Sequence, residues 1–296
     1  MKKTLIALAA VAATGAAFAQ SSVTLSGLAN IGVTKASGTD ARVSGGADGS
    51  SSRLIFRGVE DLGGGLKANF HLEQGIDLAT GAADSVAFQR QAWMGMSGGF
   101  GEVRLGRQYT LGLMTSIGYM PSTFSSAQLR TGLGFNGATS RNDAQIRYSS
   151  PNFGGFQGQV STQLKGNTPN TLTELALTYG AGPLRAALYT GKTKNTAGSD
   201  LALNGSYNFG TFLLAAGYVD QAGTNTGKGV WLHAGTSVGA ISPYIQYAKN
   251  SDTKQSTVEL GARYAVSKRT QAYVHTSTNS DLAVKTLFGL GLSHSF

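Results

Sequence analysis

The stretch Lys285-Thr286-Leu287-Phe288-Gly289-Leu290-Gly291-Leu292-Ser293-His294-Ser295-Phe296 decides the fold. Thr286, Phe288, Leu290, Leu292, His294 and Phe296 share one parity, and Lys285, Leu287, Gly289, Gly291, Ser293 and Ser295 share the other. Side chains of a strand point alternately to opposite faces, so one face here is mostly large and apolar and the other mostly small or polar. The same alternation recurs upstream. Val258, Leu260, Ala262, Tyr264 and Val266 oppose Thr257, Glu259, Gly261 and Arg263. Phe212, Leu214, Ala216 and Tyr218 alternate with small residues, Leu175, Leu177 and Tyr179 with Glu174, Ala176 and Thr178, and Leu184, Ala186 and Leu188 with Arg185 and Ala187.

Short Gly- and Asn-containing breaks separate these segments, at Glu60–Gly65, Ser97–Gly101, Asn152–Gly155 and Asn208–Thr211. Gly and Asn supply the positive φ that tight hairpins need. Longer polar loops such as Ala36–Ser50 and Asn195–Asp200 alternate with them. Short turns at one end and long loops at the other describe a transmembrane antiparallel β-barrel, all-β, of about sixteen strands. Past the N-terminal leader the sequence shows no helix-period segment and no run approaching the roughly 20 apolar residues of a membrane helix. A soluble β-sandwich or β-helix is the rival architecture. A sandwich rarely needs so many strands and gives no reason for a terminal aromatic strand, whereas closure removes every edge, as lipid demands.

Composition agrees. Gly is abundant at 42, Pro scarce at 5, and 13% of residues are charged, against about 25% in ordinary soluble domains. With 13 Phe and 11 Tyr, this suits a sheet greasy on one face and wet on the other. Cysteine is absent, which excludes disulfides, thiolate metal sites and a lipidated N-terminus; neither a cofactor nor a metal is expected. Lys2 and Lys3, the apolar run Leu5–Ala13 and the small-x-small site Ala17-Phe18-Ala19 predict a secretory leader over 1–19 and a barrel domain over 20–296.

At this point the residues resemble a known family. Gln20-Ser21-Ser22-Val23-Thr24-Leu25, Arg57-Gly58-Val59-Glu60-Asp61-Leu62-Gly63-Gly64-Gly65-Leu66-Lys67-Ala68, Arg90-Gln91-Ala92 and Leu105-Gly106-Arg107-Gln108-Tyr109 occur in order. Tyr148-Ser149-Ser150-Pro151-Asn152-Phe153-Gly154-Gly155-Phe156, Ser267-Lys268-Arg269-Thr270 and Gly291-Leu292-Ser293-His294-Ser295-Phe296 follow. The chain resembles, over essentially its whole mature length, the general porins of β-proteobacteria, trimeric sixteen-stranded outer-membrane pores. The resemblance implies a passive water-filled channel for small anionic and neutral solutes. It implies a homotrimer seated in outer-membrane lipid and lipopolysaccharide, with no nucleic-acid partner. Phe296 resembles the signal read by the barrel assembly machinery; an aromatic anchor at the membrane interface is its simpler role.

A barrel of this size is too wide for side chains to fill. The family folds its third long loop inward, and about 111–140 occupies that place, carrying Arg130 as its one charge. An acidic residue often follows the Gly-Arg-Gln-Tyr motif in the family, but Thr110 stands here, which bears on selectivity. The resemblance carries Arg53, Arg90 and Arg141 over as a constriction ladder. Parity adds Arg57, Arg104 and Arg147 as neighbours, with Glu73 and Glu102 as the opposing acids. Arg53 and Arg57 are out of phase with Leu54 and Phe56, and Arg141 and Arg147 with Ile146 and Tyr148. Counting from Arg90 puts Trp93 on the lipid face and Met94 and Met96 inside. An anion about 7 Å from one such charge, at an effective dielectric near 40, gains on the order of 1 kcal/mol, so an anion-preferring channel is expected. The competing reading is that the arginines only pair with Glu73, Glu102 and other acids as a stiffening wall.

Other motifs carry less. Gly132-Leu133-Gly134-Phe135-Asn136-Gly137 has nucleotide-loop glycines but no strand-to-helix unit around it. Gly235-Thr236-Ser237-Val238-Gly239 lies at a strand-to-strand turn, unlike a nucleophile elbow. An outer-membrane barrel enzyme of lipase or protease type would need convergent Asp, His or Ser groups. His71, His233, His275 and His294 are scattered along the sequence with no acid pairing visible in it. A surface adhesin would add a passenger domain or long apolar loops, and the external loops here are short and polar.

Overall fold

Alternation of this kind gives the chain one face for an apolar phase and one for water, and the backbone obeys it almost throughout. The computed structural model describes residues 21–119, 131–133, 140–222, 227–280 and 284–296. The expected leader, 1–19, and Arg130 lie outside the described residues.

After β1 (Ser22–Ala36) and the short β2 (Arg42–Gly45) come β3 (Ser52–Gly63), β4 (Leu66–Ile76), β5 (Gln91–Gly98) and β6 (Gly101–Tyr109). One helix, α1 (Leu111–Ile117), precedes β7 (Arg141–Ser149), β8 (Phe156–Gln163), β9 (Leu172–Ala181) and β10 (Leu184–Thr193). β11 (Asp200–Asn208), β12 (Phe212–Gln221), β13 (Lys228–Thr236), β14 (Ile241–Asn250), β15 (Ser256–Ala265), β16 (Thr270–Asn279) and β17 (Thr286–Ser295) complete the sheet. Every pairing is antiparallel, and β1 pairs with β17 over Leu28–Ala36, so the sheet closes on itself. On its other edge β1 meets β3 along Ser22–Leu28 and β2 along Ile31–Thr34. β2 and β3 therefore share one position in the wall, and the barrel has sixteen, as expected. At the seam Gly27 N–H donates to the Phe296 carbonyl at 2.9 Å and Phe296 N–H returns to Gly27 at 3.2 Å. A side chain at Gly27 would run into the Arg53 carbonyl and the Phe296 ring, so the seam needs a glycine.

The burial pattern inverts that of a soluble protein. Leu260 is 50% exposed while its strand neighbour Glu259 is 3% exposed. Leu175, Leu188, Leu203, Leu214, Leu232, Val274, Leu290 and Leu292 are likewise exposed, and Glu174, Asn204, Gln246, Thr257 and Ser277 are buried. A polypeptide can keep that distribution only where lipid bathes the outside and water or polar partners fill the inside. No helix among the described residues could cross a membrane; the strands do so. The short turns mark one rim, where Gly64 and Gly65 adopt φ of 61° and 81°. Rings cluster at that rim: Phe156 on Tyr179 at 4.6 Å, and Phe209 between Tyr207 and Phe212 at 4.5 and 4.6 Å. Amphipathic rings favour the headgroup level of a bilayer.

Two readings of the sequence are corrected. Trp93 faces the lumen, whereas Met94 and Met96 face outward at 63% and 44% exposure. The reason is that Arg90 precedes β5, which begins at Gln91, so a phase counted from Arg90 is displaced by one. The chain also contains α1. It spans seven residues, too few to display a helical period, and is fixed by its cap: Thr110 is extended, and its hydroxyl oxygen accepts the Leu113 N–H at 3.2 Å.

Leu111 and Leu113 of α1, with Tyr119 and Leu133, bury against Ala176, Ala187, Ala202, Ala215, Ala248 and Trp231 on the inner wall. Burying a leucine fully stabilises by about 1.5–3 kcal/mol. Alanines on the inner surface of β9 to β12 and β14 thus leave room for α1, which occupies the lumen from that side.

Leu260 tests the inside-outside assignment. Leu260→Arg, at the centre of β15, is expected to destabilise the barrel by about 2–4 kcal/mol in reversible refolding into lipid vesicles. The inward Gln159→Arg is expected to cost under about 1 kcal/mol.

Candidate functional site

Opposite α1 the wall of β3 to β7 is basic. Arg53 and Arg57 project from β3, Arg104 from β6 and Arg147 from β7, and Arg90 enters from the segment before β5. All five line one cavity of about 750 Å³ whose far side is Met114 and Ile117 of α1.

Glu73 on β4 is the hub of this wall. It is 2% exposed, and it accepts Arg90 Nε at 2.7 Å and Gln91 Nε2 at 2.6 Å, with Arg53 Nε at 3.5 Å. Arg57 donates its Nε–H to His71 Nδ1 at 3.1 Å, which leaves His71 Nε2 to donate to Glu73 at 3.2 Å. Tyr109 is the second hub. Its hydroxyl oxygen accepts Arg90 Nη2 at 3.1 Å and Arg141 Nη2 at 3.0 Å, and the Arg141 guanidinium lies 4.4 Å above its ring. Arg147 donates to the Tyr109 carbonyl. Arg104 pairs with Glu102 at 2.6 Å and lies 4.1 Å from the centre of the Trp93 ring.

The structure therefore brings together Arg53, Arg57, Arg90, Arg104, Arg141 and Arg147 with Glu73 and Glu102. Arg141 arrives by an unexpected route. The pairing of β6 with β7 shifts between Gly106 and Gln108, near Ala144 with φ of 51°. The bulge breaks the phase that linked Arg141 to Arg147 and sets Arg141 opposite Tyr109. Arg130 cannot be placed, being outside the described residues.

The charges do not cancel. Among the described residues Arg57 and Arg147 have no carboxylate within 4 Å, and Glu73 and Glu102 serve Arg53, Arg90 and Arg104. The stiffening-wall reading is right for Glu73, which ties three strands together, but it leaves an excess of positive charge. A water-filled constriction between low-dielectric walls focuses that field.

The loop is tied down by groups that sequence reasoning did not single out. Glu174, fully buried on β9, accepts the Gly112 N–H at 3.1 Å, the Ser161 hydroxyl at 2.7 Å and the Tyr189 hydroxyl at 3.2 Å. Asn204 donates to the Thr115 carbonyl at 3.1 Å and accepts Trp231 Nε1 at 3.1 Å. Tyr119 donates to the Ala186 carbonyl at 2.7 Å, and Asn250 to that of Thr131 at 3.0 Å. A lone buried Glu in a small-residue strand was the available signal, since such a carboxylate must find donors. Thr110, noted as a neutral departure, serves as the helix cap.

Among the described residues the hydrolase constellation does not assemble. His71 does pair with an acid, Glu73, contrary to the sequence reading. Its other ring nitrogen takes Arg57, so it has no free nitrogen with which to activate a hydroxyl. Ser237 bonds Ser242 at 3.0 Å in the turn joining β13 to β14, a strand-to-strand setting. The glycine-rich segment lies outside the described residues beyond Leu133. Among the described residues no three His, Cys, Asp or Glu converge as metal ligands.

The model of the Gram-negative porin family matches residues 4–281. Outer membrane porin protein 32 of Delftia acidovorans is 37% identical over 92% of this chain and 88% of its own length. An anion-selective porin from Comamonas acidovorans superposes with a TM-score of 0.76, at 28% identity, covering 94% of this chain and all of that one. The trimer form of OmpT from Vibrio cholerae shares the fold with a TM-score of 0.73, at 16% identity, covering 93% of this chain and 99% of that one.

The Glu174 anchor is open to direct test. Glu174→Ala removes a charge-assisted bond of about 1.5–3 kcal/mol. Amides of Leu111–Tyr119 are expected to exchange roughly 10- to 100-fold faster in that variant, with the strands of the barrel unaffected, by hydrogen-exchange mass spectrometry.

Proposed function

The chain belongs to the Gram-negative porin family, and on that footing we propose that it forms a passive, water-filled outer-membrane channel for small hydrophilic solutes, with a preference for anions. The observation that carries the preference is the excess of guanidiniums on one side of the lumen, with Arg57 and Arg147 having no carboxylate within 4 Å among the described residues. Each fixed charge about 7 Å from the ion path, at an effective dielectric near 40, contributes on the order of 1 kcal/mol. That is enough to bias passage severalfold and too little to trap an ion. The similarity to an anion-selective porin from Comamonas acidovorans points the same way.

Arg53, Arg57, Arg90, Arg104, Arg141 and Arg147, with Glu73 and Glu102, form the constriction in this reading. The exposed leucines and valines meet lipid and, in the outer leaflet, lipopolysaccharide. Three copies assemble, as the family resemblance implies. Phe296, bonded to Gly27 at the seam, is the residue the assembly machinery reads before closure buries its backbone.

In planar bilayers across a tenfold KCl gradient at low salt, the reversal potential is expected to report chloride over potassium, and a potassium-favouring sign would overturn the proposal. Arg57→Gln with Arg147→Gln is expected to lower the anion-to-cation permeability ratio severalfold. Raising salt to 1 M, where the screening length is about 3 Å, shrinks the preference. The detergent-solubilised assembly is expected to have three times the mass of one chain by light scattering.

A further inference from the structure

The basic wall is also flat and partly aromatic. His71 on β4, Trp93 on β5 and Arg104 on β6 occupy adjoining positions on three neighbouring strands. The imidazole and indole planes are 15° apart with centroids at 5.5 Å, and the Arg104 guanidinium carbon lies 4.1 Å from the indole centre. Because the imidazole comes from one side of β5 and the guanidinium from the other, the indole is the middle of the row. Glu102, at 2.6 Å from Arg104, and Gln91, which accepts Trp93 Nε1 at 3.3 Å, fix the guanidinium and the indole in orientation. Across the same cavity stand Met114 and Ile117, and Met114 is 42% exposed. A channel that served only small inorganic anions would gain nothing from an exposed thioether facing the arginines, since hydrated ions prefer polar lining. Arg57 stands exposed beside the row, with only its Nε committed to His71.

A flat aromatic ring bearing one carboxylate fits each of these features. A guanidinium face backed by an indole attracts π systems, thioethers make favourable contacts with ring edges, and an apolar ring loses water-exposed area between them. We propose that the constriction is a slot for aromatic monocarboxylates of the benzoate class, with the carboxylate at Arg57 and the ring between the Arg104–Trp93 stack and Met114. The slot rests on the anion-channel reading and deepens it, because charge alone does not distinguish benzoate from acetate.

The experiment uses the whole barrel in planar bilayers, with chloride carrying the current and sodium benzoate or sodium acetate added at equal millimolar concentrations. Benzoate is expected to reduce the mean chloride current, or to interrupt it briefly, with half-effect at a concentration at least fivefold below that of acetate. Within Met114→Ser and within Trp93→Ala the benzoate-to-acetate ratio is expected to fall toward one. Met114 lies on the exposed side of α1, so the serine variant decides the matter should the Trp93 variant fail to fold, which migration on an unheated gel reveals. A wild-type channel that prefers chloride yet responds alike to benzoate and acetate overturns the slot and leaves the channel reading intact. So does an unchanged ratio in Met114→Ser. A wild-type reversal potential favouring potassium instead overturns the channel reading, and the slot with it.

Discussion

Everything in this molecule follows from the absence of water in a lipid interior. A backbone N–H or C=O facing hydrocarbon has no partner except another backbone group, and each unpaired one costs several kcal/mol. A sheet can meet that condition only by closing. The register of β1 with β17, from Leu28 opposite Ser295 to Ala36 opposite Leu287, is therefore the contact on which the rest depends. Gly27 and Phe296 complete it at the rim. Once the cylinder is closed, alternation assigns every strand side chain to lipid or lumen, and the lumen inherits all the polar chemistry.

The lumen then has to be narrowed without being plugged. The wall of β9 to β14 offers alanines at 176, 187, 202, 215 and 248, and α1 beds on them through Leu111 and Leu113. Any larger residue in that column would push α1 toward the arginines and shrink the 750 Å³ cavity between them. Apolar packing alone would hold a seven-residue helix loosely, because it is below the length at which helices persist unaided. Glu174 and Asn204 supply the missing specificity by binding backbone groups of the helix itself. The position of the constriction is set from the wall rather than from the loop.

Sequence carried the barrel clearly where strands are regular. From β8 to β17 the two faces differ so strongly that a one-residue slip would place Glu174, Asn204, Glu259 or Ser277 in lipid, so the phase is unambiguous. It failed where the ladder is interrupted. Arg90 looks like part of β5 but stands before it, and the phase of Trp93 was lost with it. The bulge near Ala144 hides the true neighbour of Arg141, because an inserted residue leaves no mark in an alternation count. α1 was invisible for its brevity, and the duties of Glu174 and Tyr109 were invisible because their partners lie 62 and 32 residues away. Long-range hydrogen bonds have no periodic signature.

The arginines, which look alike in sequence, divide into two kinds by what holds them. Arg147 is 5% exposed and donates to the Tyr109 carbonyl at the root of the inward loop, so much of its role is to fix the place where β6 ends and α1 begins. Arg90 and Arg141 share the Tyr109 hydroxyl, and Arg53 and Arg90 share Glu73. Those shared acceptors are what allow guanidiniums to crowd without forcing one another apart, since each is held by a hydrogen bond with a direction. Arg57 is the exposed member, tied by one nitrogen to His71. In the proposed channel the field belongs to the whole cluster, but direct contact with a passing solute belongs mainly to the exposed guanidinium of Arg57 and the groups beside it. A basic wall built this way can attract at a distance with many charges while touching with few, and that combination lets selectivity coexist with rapid release.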